Sequence, residues 1–135
     1  MLLHTIAEVR EKVKQWKKEG LTVGLVPTMG ALHKGHLSLI RKSVEKCDKT
    51  VVSVFVNPIQ FCPGEDFEKY PRTLEADTKL AEEAGVDIVF APSAEEMYGQ
   101  GHIMSNDFLT YVIPPFFYVN KLCGKSRTGH FDGVC

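Results

Sequence analysis

The chain of 135 residues lacks the features by which several large classes of protein are identified. It has no run of about 20 apolar residues, the length that a membrane-spanning helix needs. It does not begin with a basic segment followed by a long apolar stretch, as a secretory leader does. Its formal net charge is −1, with acids and bases interspersed, so neither a nucleic-acid partner nor a membrane surface is indicated. We therefore expect a protein located in the cytoplasm.

The common metal and redox motifs are also missing. The chain has no Cys-x-x-Cys pair and no His-Glu-x-x-His segment, so neither a zinc site nor a redox site is signalled. A Walker A loop is excluded as well, because the glycine that would have to precede Gly124-Lys125-Ser126 is replaced by Val119. The four cysteines are widely spaced: Cys47, Cys62, Cys123 and Cys135.

What the chain does contain is an alternation of strand and helix patterns. Strands are predicted over 21–26, 50–56 and 86–91, and helices over 5–19, 36–47 and 73–84. A further helix is predicted to begin near residue 93, and weaker signals favour a strand over 109–113 and a helix over 116–122. Strand, helix and strand in succession form a right-handed βαβ unit. The order predicts one α/β domain with an open, doubly wound parallel sheet, which binds ligands at the carboxyl ends of its strands.

One segment between a predicted strand and the next helix has the composition of a phosphate site. Residues 27–36 read Pro-Thr-Met-Gly-Ala-Leu-His-Lys-Gly-His. Such a turn places free backbone N–H groups and the positive end of a helix where a phosphate can bind. His33 and His36 add side-chain donors, and Gly30 and Gly35 permit close approach of the backbone. Two other interpretations stay open: the histidines are a surface coincidence, or they are zinc ligands whose partners lie elsewhere.

Two further segments carry polar groups suited to small ligands. Asn57-Pro58-Ile59-Gln60-Phe61 follows the predicted strand 50–56, and its amides suit a small polar acid, although an ordinary Asn-Pro turn has the same composition. Arg127 and His130 lie in a glycine-containing loop and suit a phosphate, although a solvated basic loop is the simpler interpretation.

Taken together, four ordered motifs resemble the pantoate–β-alanine ligase family, also called the pantothenate synthetases. In this chain the four motifs read Pro27-Thr28-Met29-Gly30-Ala31-Leu32-His33-x-Gly35-His36; Phe55-Val56-Asn57-Pro58-x-Gln60-Phe61; Glu65-Asp66-Phe67-x-x-Tyr70-Pro71-Arg72-Thr73; and Ser126-Arg127-x-Gly129-His130-Phe131. Four motifs in one order are far more specific than the His-x-Gly-His signature alone, which the wider nucleotidyltransferase superfamily shares.

The resemblance implies a Rossmann-like fold of the His-x-Gly-His nucleotidyltransferase type and a ligation that depends on Mg²⁺ and ATP. Pantoate would first be converted to pantoyl adenylate, and the amine of β-alanine would then displace AMP to give pantothenate, a step in coenzyme A synthesis. The family also implies a homodimer. Small-molecule substrates, with no nucleic acid and no membrane, would be the partners.

The resemblance also implies roles for individual residues. Its ATP-binding segment falls on Met29, Gly30, Ala31, Leu32, His33, Lys34, Gly35 and His36. Within that segment, His33 and His36 would be the catalytic pair against the phosphates, with His36 as the proton donor. Pantoate and β-alanine would be bound by Gln60, Asn57, Tyr70, Arg127 and His130. No residue is implied as a metal ligand.

Chains of this family continue beyond the region of resemblance, with a Gly-Gln-Lys-Asp segment and a C-terminal lid domain. We therefore expect residues 1–135 to form a single, incomplete N-terminal domain that binds nucleotide and pantoate, and to be inactive alone. Three positions depart from the family pattern: Ile59 for threonine, Cys62 for glycine and Thr128 for proline.

Two other functions remain open at this point. One is a different His-x-Gly-His nucleotidyltransferase, which would take a phosphorylated co-substrate and would not need Asn57 or Gln60. The other is a binding or dimerisation module without catalysis of its own.

Overall fold

The computed structural model describes residues 1–61, 67, 69–99, 119, 121–125 and 130–134. The predicted strand over 109–113 and most of the predicted helix over 116–122 lie outside these residues. Cys62, Arg127, Thr128 and Cys135 lie outside them as well.

Strands and helices alternate along the described chain. The strands are β1 (Leu2–Leu3), β2 (Val23–Thr28), β3 (Lys49–Val54) and β4 (Ile88–Phe90). The α-helices are α1 (Ile6–Lys18), α2 (Lys34–Lys46), α3 (Leu74–Glu83), α4 (Ala94–Tyr98) and α5 (His130–Val134). Two short 3₁₀ helices span Pro58–Gln60 and Leu122–Lys125.

The strands form one parallel sheet in the order β1-β4-β3-β2. From β2 to β3 to β4 the chain steps in one direction across the sheet, whereas the connection from β1 to β2 crosses it in the other direction. With right-handed crossovers, α2 and α3 therefore lie on one face and α1 on the opposite face. The predicted doubly wound α/β sheet is confirmed.

The core lies between the sheet and helices α2 and α3. Val26, Val52 and Val89 are neighbours across three strands and point to the same face. Ile40 of α2 and Ala81 of α3 pack onto this row, and both are fully buried. This packing holds both helices against the sheet, and so it places their N-terminal ends near the carboxyl edge of the sheet.

Local signals explain most of the element boundaries. Thr5 and Glu8 form the predicted capping box at the start of α1. Gly20 and Gly85 have φ values of +77° and +93° and lie just beyond α1 and α3, at sites that favour glycine. Strand β2 runs through Pro27 to Thr28, beyond its predicted end, because β2 is the last strand in the described sheet order, where proline is tolerated.

We predict that Ile40→Ala lowers the free energy of unfolding by about 2–5 kcal/mol, because it leaves a cavity under α2. Ile40 is 0% exposed, whereas its neighbour Leu39 is 60% exposed and serves as the matched control. Leu39→Ala is expected to change stability by no more than about 0.5 kcal/mol. Urea denaturation followed by circular dichroism measures both. Equal losses for the two variants would contradict this packing.

Candidate functional site

The turn after β2 has an unusual backbone. Gly30 has a φ of +85° and Ala31 a φ of +50°, so two successive residues are left-handed. For a non-glycine residue such as Ala31, this conformation costs about 1–3 kcal/mol and persists only where surrounding contacts hold it. The hydroxyl of Thr28 begins that support: it donates to the carbonyl of Ser53 at 2.7 Å and accepts the N–H of Gly30 at 3.1 Å.

A buried carboxylate holds the rest of the turn. Asp77 of α3 is 2% exposed. Its Oδ2 accepts the N–H of Ala31 at 2.9 Å, and its Oδ1 accepts the N–H of Leu32 at 2.7 Å. The hydroxyl of Thr73 donates to Oδ2 at 3.0 Å. The expectation that the backbone N–H groups of this turn are free is therefore wrong for Gly30, Ala31 and Leu32.

Asp77 was not among the residues predicted from the sequence, although one signal was present. It lies four residues before Ala81, on the face of the predicted helix 73–84 that turns towards the core. A carboxylate on a buried face needs donors, and in the structure the amides of Ala31 and Leu32 supply them.

The two histidines form the N-terminal cap of α2. His33 is the N-cap residue, and its Nδ1 accepts the N–H of Gly35 at 3.1 Å. The Nδ1 of His36 accepts the N–H of His33 at 3.4 Å, which completes a capping box. The rings lie close together, with centroids 4.0 Å apart. An added Cβ at Gly35 would lie 2.9 Å from Cε1 of His33, so this arrangement requires glycine there.

The cap determines what the rings can offer a ligand. Because each Nδ1 accepts a hydrogen bond, the proton of each neutral ring is assigned to Nε2. Two Nε2–H donors therefore belong to rings at the N-terminus of a helix, where the dipole favours a negative charge. The arrangement suits the oxygens of a phosphate.

The pKa of His36 lies below the ordinary histidine value of 6.5. Burial is the main cause, because it disfavours the charged ring, and the neighbouring His33 lowers the pKa further. The carboxylate of Asp77 acts in the opposite direction and raises the pKa. The neutral Nε2–H form of His36 is therefore favoured near pH 7.

A second group of residues follows β3 at the same edge of the sheet. Asn57 is 5% exposed and caps the 3₁₀ helix Pro58–Gln60: its Oδ1 accepts the N–H of Ile59 at 3.1 Å and the hydroxyl of Tyr98 at 2.9 Å. His130 of α5 is 8% exposed, and its Nδ1 lies 2.9 Å from the carbonyl oxygen of Gln60. The backbone of Gln60 is thus held at its N–H by the carbonyl of Asn57 and at its carbonyl by His130.

Aromatic side chains extend this second group. The ring of Phe61 has two edge-to-face neighbours. The centroid of the Tyr70 ring lies 5.7 Å from that of Phe61, and the centroid of the Phe67 ring lies 5.4 Å from it. The predicted substrate residues Asn57, Gln60 and His130 are directly linked, and Tyr70 packs against the residue that follows Gln60. Arg127 lies outside the described residues.

A cleft of about 430 Å³ opens at this edge. Met29 and Gly30 of the turn line one side, and residues 54–56 at the end of β3 form another part of the wall. The beginnings of α3 and α4 contribute Thr73, Asp77 and Ala94. Most of the lining is apolar, so a ligand here would be held by shape and by few polar groups.

Two other kinds of feature are not found in the part of the chain that the structure describes. Within the described ranges, no helix combines the length and the apolar character needed to cross a bilayer. The same residues contain no group of three or more His, Cys, Asp or Glu side chains that could hold a metal ion.

Comparison with known sequences points to one family. The model of the family described as "Pantoate-beta-alanine ligase" matches residues 1–135. The pantothenate synthetase of Clostridium novyi (strain NT) is 55% identical over 133 residues, which cover 98% of this chain and 44% of that protein. A bifunctional pantoate ligase/cytidylate kinase of Synechococcus sp. (strain JA-2-3B'a(2-13)) is 54% identical over 132 residues, which cover 98% of this chain and 24% of that protein.

Solved structures agree with these sequences. Pantothenate synthetase from Thermus thermophilus superposes with a TM-score of 0.80 at 44% identity, covering 98% of this chain and 44% of that one. Pantoate-beta-alanine ligase from Francisella tularensis, complexed with beta-gamma ATP and beta-alanine, gives a TM-score of 0.83 at 36% identity, covering 99% and 49%. The chain thus spans less than half of the length of these relatives. Since the family match extends over every residue, the chain belongs to the pantoate–β-alanine ligase family.

Proposed function

We propose that this chain supplies the wall that binds ATP and pantoate in an enzyme that joins pantoate and β-alanine to make pantothenate. The observation that carries the proposal is the histidine cap of α2, which places two rings with Nε2–H donors at the N-terminus of a helix that follows β2 at the carboxyl edge of a parallel sheet. Membership of the family supports the substrates. The chain spans 44% of the Clostridium novyi relative, so the activity is proposed for the whole enzyme.

The reaction consists of two displacements. A carboxylate oxygen of pantoate attacks the α-phosphorus of ATP, and the bond to the leaving pyrophosphate breaks. The amine of β-alanine then attacks the carbonyl carbon of pantoyl adenylate, loses a proton and displaces AMP. In the first step, negative charge grows on the phosphoryl oxygens and on pyrophosphate, where fixed donors stabilise the transition state more than the ground state. His33 and His36 are the donors proposed here; His36, the proton donor implied by the family, would act by donating a hydrogen bond from Nε2–H to the oxygens on which the charge grows.

The turn and its helix would hold the nucleotide with Met29, Gly30, Ala31, Leu32, His33, Lys34, Gly35 and His36. Since Asp77 accepts the N–H groups of Ala31 and Leu32, these two residues would contact ATP through other atoms. The negative charge of the ATP phosphates would then be stabilised by His33, by His36 and by the N-terminus of α2.

The second group would hold pantoate and β-alanine, with Gln60 as the direct contact. Asn57, whose Oδ1 serves the backbone of Ile59 and the hydroxyl of Tyr98, would keep Gln60 in place. His130 would do the same through the carbonyl of Gln60. Tyr70 and Arg127 are proposed from the family pattern alone.

Mg²⁺ is proposed as the ion that accompanies ATP. The described residues do not form a metal cage, and Mg²⁺ commonly binds substrate phosphates and water in place of many protein ligands. We assign it no ligand in this part of the chain.

The two other functions considered from the sequence are not favoured. A nucleotidyltransferase acting on a phosphorylated co-substrate, or a module without catalysis, would not explain a match to one ligase family over residues 1–135. A homodimer and a cytoplasmic location remain predictions, and light scattering at several concentrations tests the first.

The decisive experiment is a chimera in which this chain replaces the matching segment of the Clostridium novyi enzyme. The two proteins are 55% identical over that segment, so the interface with the rest of the enzyme should be largely preserved. We expect formation of pantothenate and AMP that depends on ATP, pantoate and β-alanine together. A folded chimera that makes neither product would contradict the proposed function.

In this chimera, we predict that His36→Ala lowers turnover about 10²–10³-fold, the usual effect of losing one donor to a developing oxyanion. Stability should change much less, because His36 is only partly buried. Arg41→Ala, an exposed site farther along α2, is the control and should keep turnover. If His36→Ala kept full turnover, its catalytic role would be wrong.

The chain of 135 residues by itself is predicted to be inactive, since it spans only 44% of the length of the Clostridium novyi relative. Incubation with ATP, Mg²⁺, pantoate and β-alanine should release no AMP above background. AMP release near the rate of the chimera would refute this prediction.

The protonation of His36 gives a pH prediction. Its folded pKa is lowered, so the unfolded chain binds more protons and the site's contribution to stability falls as pH drops below 6.5. NMR titration of the His36 Cε1–H should give a midpoint below 6.5 in the folded chain and near 6.5 in urea. A folded midpoint above the urea value would reverse the sign and overturn this account.

A further inference from the structure

We propose that Asp77 is a positioning residue for the ATP site: its carboxylate fills the anion-binding turn at residues 30–32 and thereby fixes the histidine cap that follows. This inference rests on the proposed function and adds to it a residue that acts through the turn and not by direct contact with ATP, pantoate or β-alanine. The phosphates of ATP are then excluded from the amides of this turn.

The shape of the turn is that of an anion site. Successive backbone N–H groups in a turn can converge on one point, and such a concavity binds anions. In this chain Gly30 and Ala31 have φ values of +85° and +50°. The N–H groups of Ala31 and Leu32 both point at Asp77, one on each carboxylate oxygen, at 2.9 Å and 2.7 Å. The anion in this concavity is therefore part of the protein.

The carboxylate is firmly held in this position. Asp77 is 2% exposed, and Thr73 donates a third hydrogen bond to it from the start of the same helix. One turn farther along, Ala81 is fully buried in the core. The position of the carboxylate is thus set by the packing of α3 on the sheet. A phosphate would have to displace a buried charge with three hydrogen bonds to reach these amides.

The surroundings of Gly30 are crowded as well. An added Cβ there would lie 3.1 Å from Oδ2 of Asp77 and 3.1 Å from Cγ1 of Val54. The turn is thus pressed between a carboxylate and the end of β3. With residues 30–32 fixed in this way, the N-cap position of His33 is fixed as well, and ATP phosphates are limited to the helix end and the two rings.

The first test uses Asp77→Asn, which keeps the shape but places an NH₂ group opposite one of the backbone donors. In the chimera, we expect pantoate-dependent exchange of pyrophosphate into ATP to fall about 10²-fold in kcat, the effect of a small misplacement of catalytic groups. The KM for ATP should change much less. Glu75→Gln removes an exposed carboxylate from the same turn of α3 and should leave both constants unchanged.

The second test is rescue. Glycine adopts a φ of +50° without the cost that alanine bears, so Ala31→Gly should raise kcat in the Asp77→Asn protein. Rescue is measured as the ratio of kcat with and without Ala31→Gly, which should be larger in the Asp77→Asn protein than in the protein that keeps Asp77. A residue that only stabilises α3 would give no such reversal, so absence of rescue would overturn the proposal.

The third test does not depend on activity. In ¹⁵N spectra of the 135-residue chain, the amides of Ala31 and Leu32 should shift in Asp77→Asn and not in Glu75→Gln. If Asp77→Asn does not fold, Thr73→Val removes one hydrogen bond to the carboxylate and should shift the same amides by less. If the chemical shifts of the Ala31 and Leu32 amides stay unchanged in Asp77→Asn, the proposal is refuted, even where the chimera is active. An inactive chimera with shifted amides would refute only the proposed function.

Discussion

The parallel pairing of β2, β3 and β4 is the constraint on which the rest of the structure depends. Thr28 is paired with Val54, and Ser53 with Phe90, so all three strands end at nearly the same level. The ladder even continues one step further, since the N–H of Phe55 donates to the carbonyl of Thr28 at 3.0 Å. Every segment that follows one of these strands therefore begins at one edge. The histidine turn, the Asn57 segment and the starts of α3 and α4 meet there for this reason.

A hydrophobic contact and a buried charge work together at this edge. Ala81 holds α3 against the sheet, and Asp77, one turn earlier, then reaches the histidine turn. Burying a carboxylate is costly unless donors surround it, and the left-handed Ala31 is costly unless something holds it. Each feature offsets the cost of the other. The same carboxylate opposes the effect of burial on the pKa of His36, so it also bears on the charge of the neighbouring site.

The sequence predicts the features whose causes are local. The capping box of α1 and the glycines beyond α1 and α3 involve residues close together in the chain, and the alternation of strands and helices follows from periodicity. Strand β1 could not be predicted, because its two residues are too few to form a pattern and gain their role only by pairing with β4. The role of Asp77 could not be predicted either, because its hydrogen-bond partners in the turn are distant in the sequence. Its partner Leu32 is 45 positions away, and a single acid on a helix ordinarily indicates a solvated face.

The spacing of the two histidines acquires a physical meaning from the cap. A capping box joins the N-cap residue and the third residue of the helix, and His33 and His36 occupy these two positions. Serine or aspartate would cap the helix at least as well, but an aspartate offers no donor, and a serine hydroxyl must serve both purposes with one oxygen. An imidazole separates them: Nδ1 accepts the backbone N–H and Nε2–H remains available for a phosphate. Gly35 between them is required because any Cβ would press on the ring of His33. The motif His33-x-Gly35-His36 is thus at once the start of a helix and a pair of neighbouring donors, and either role alone would leave part of it unexplained.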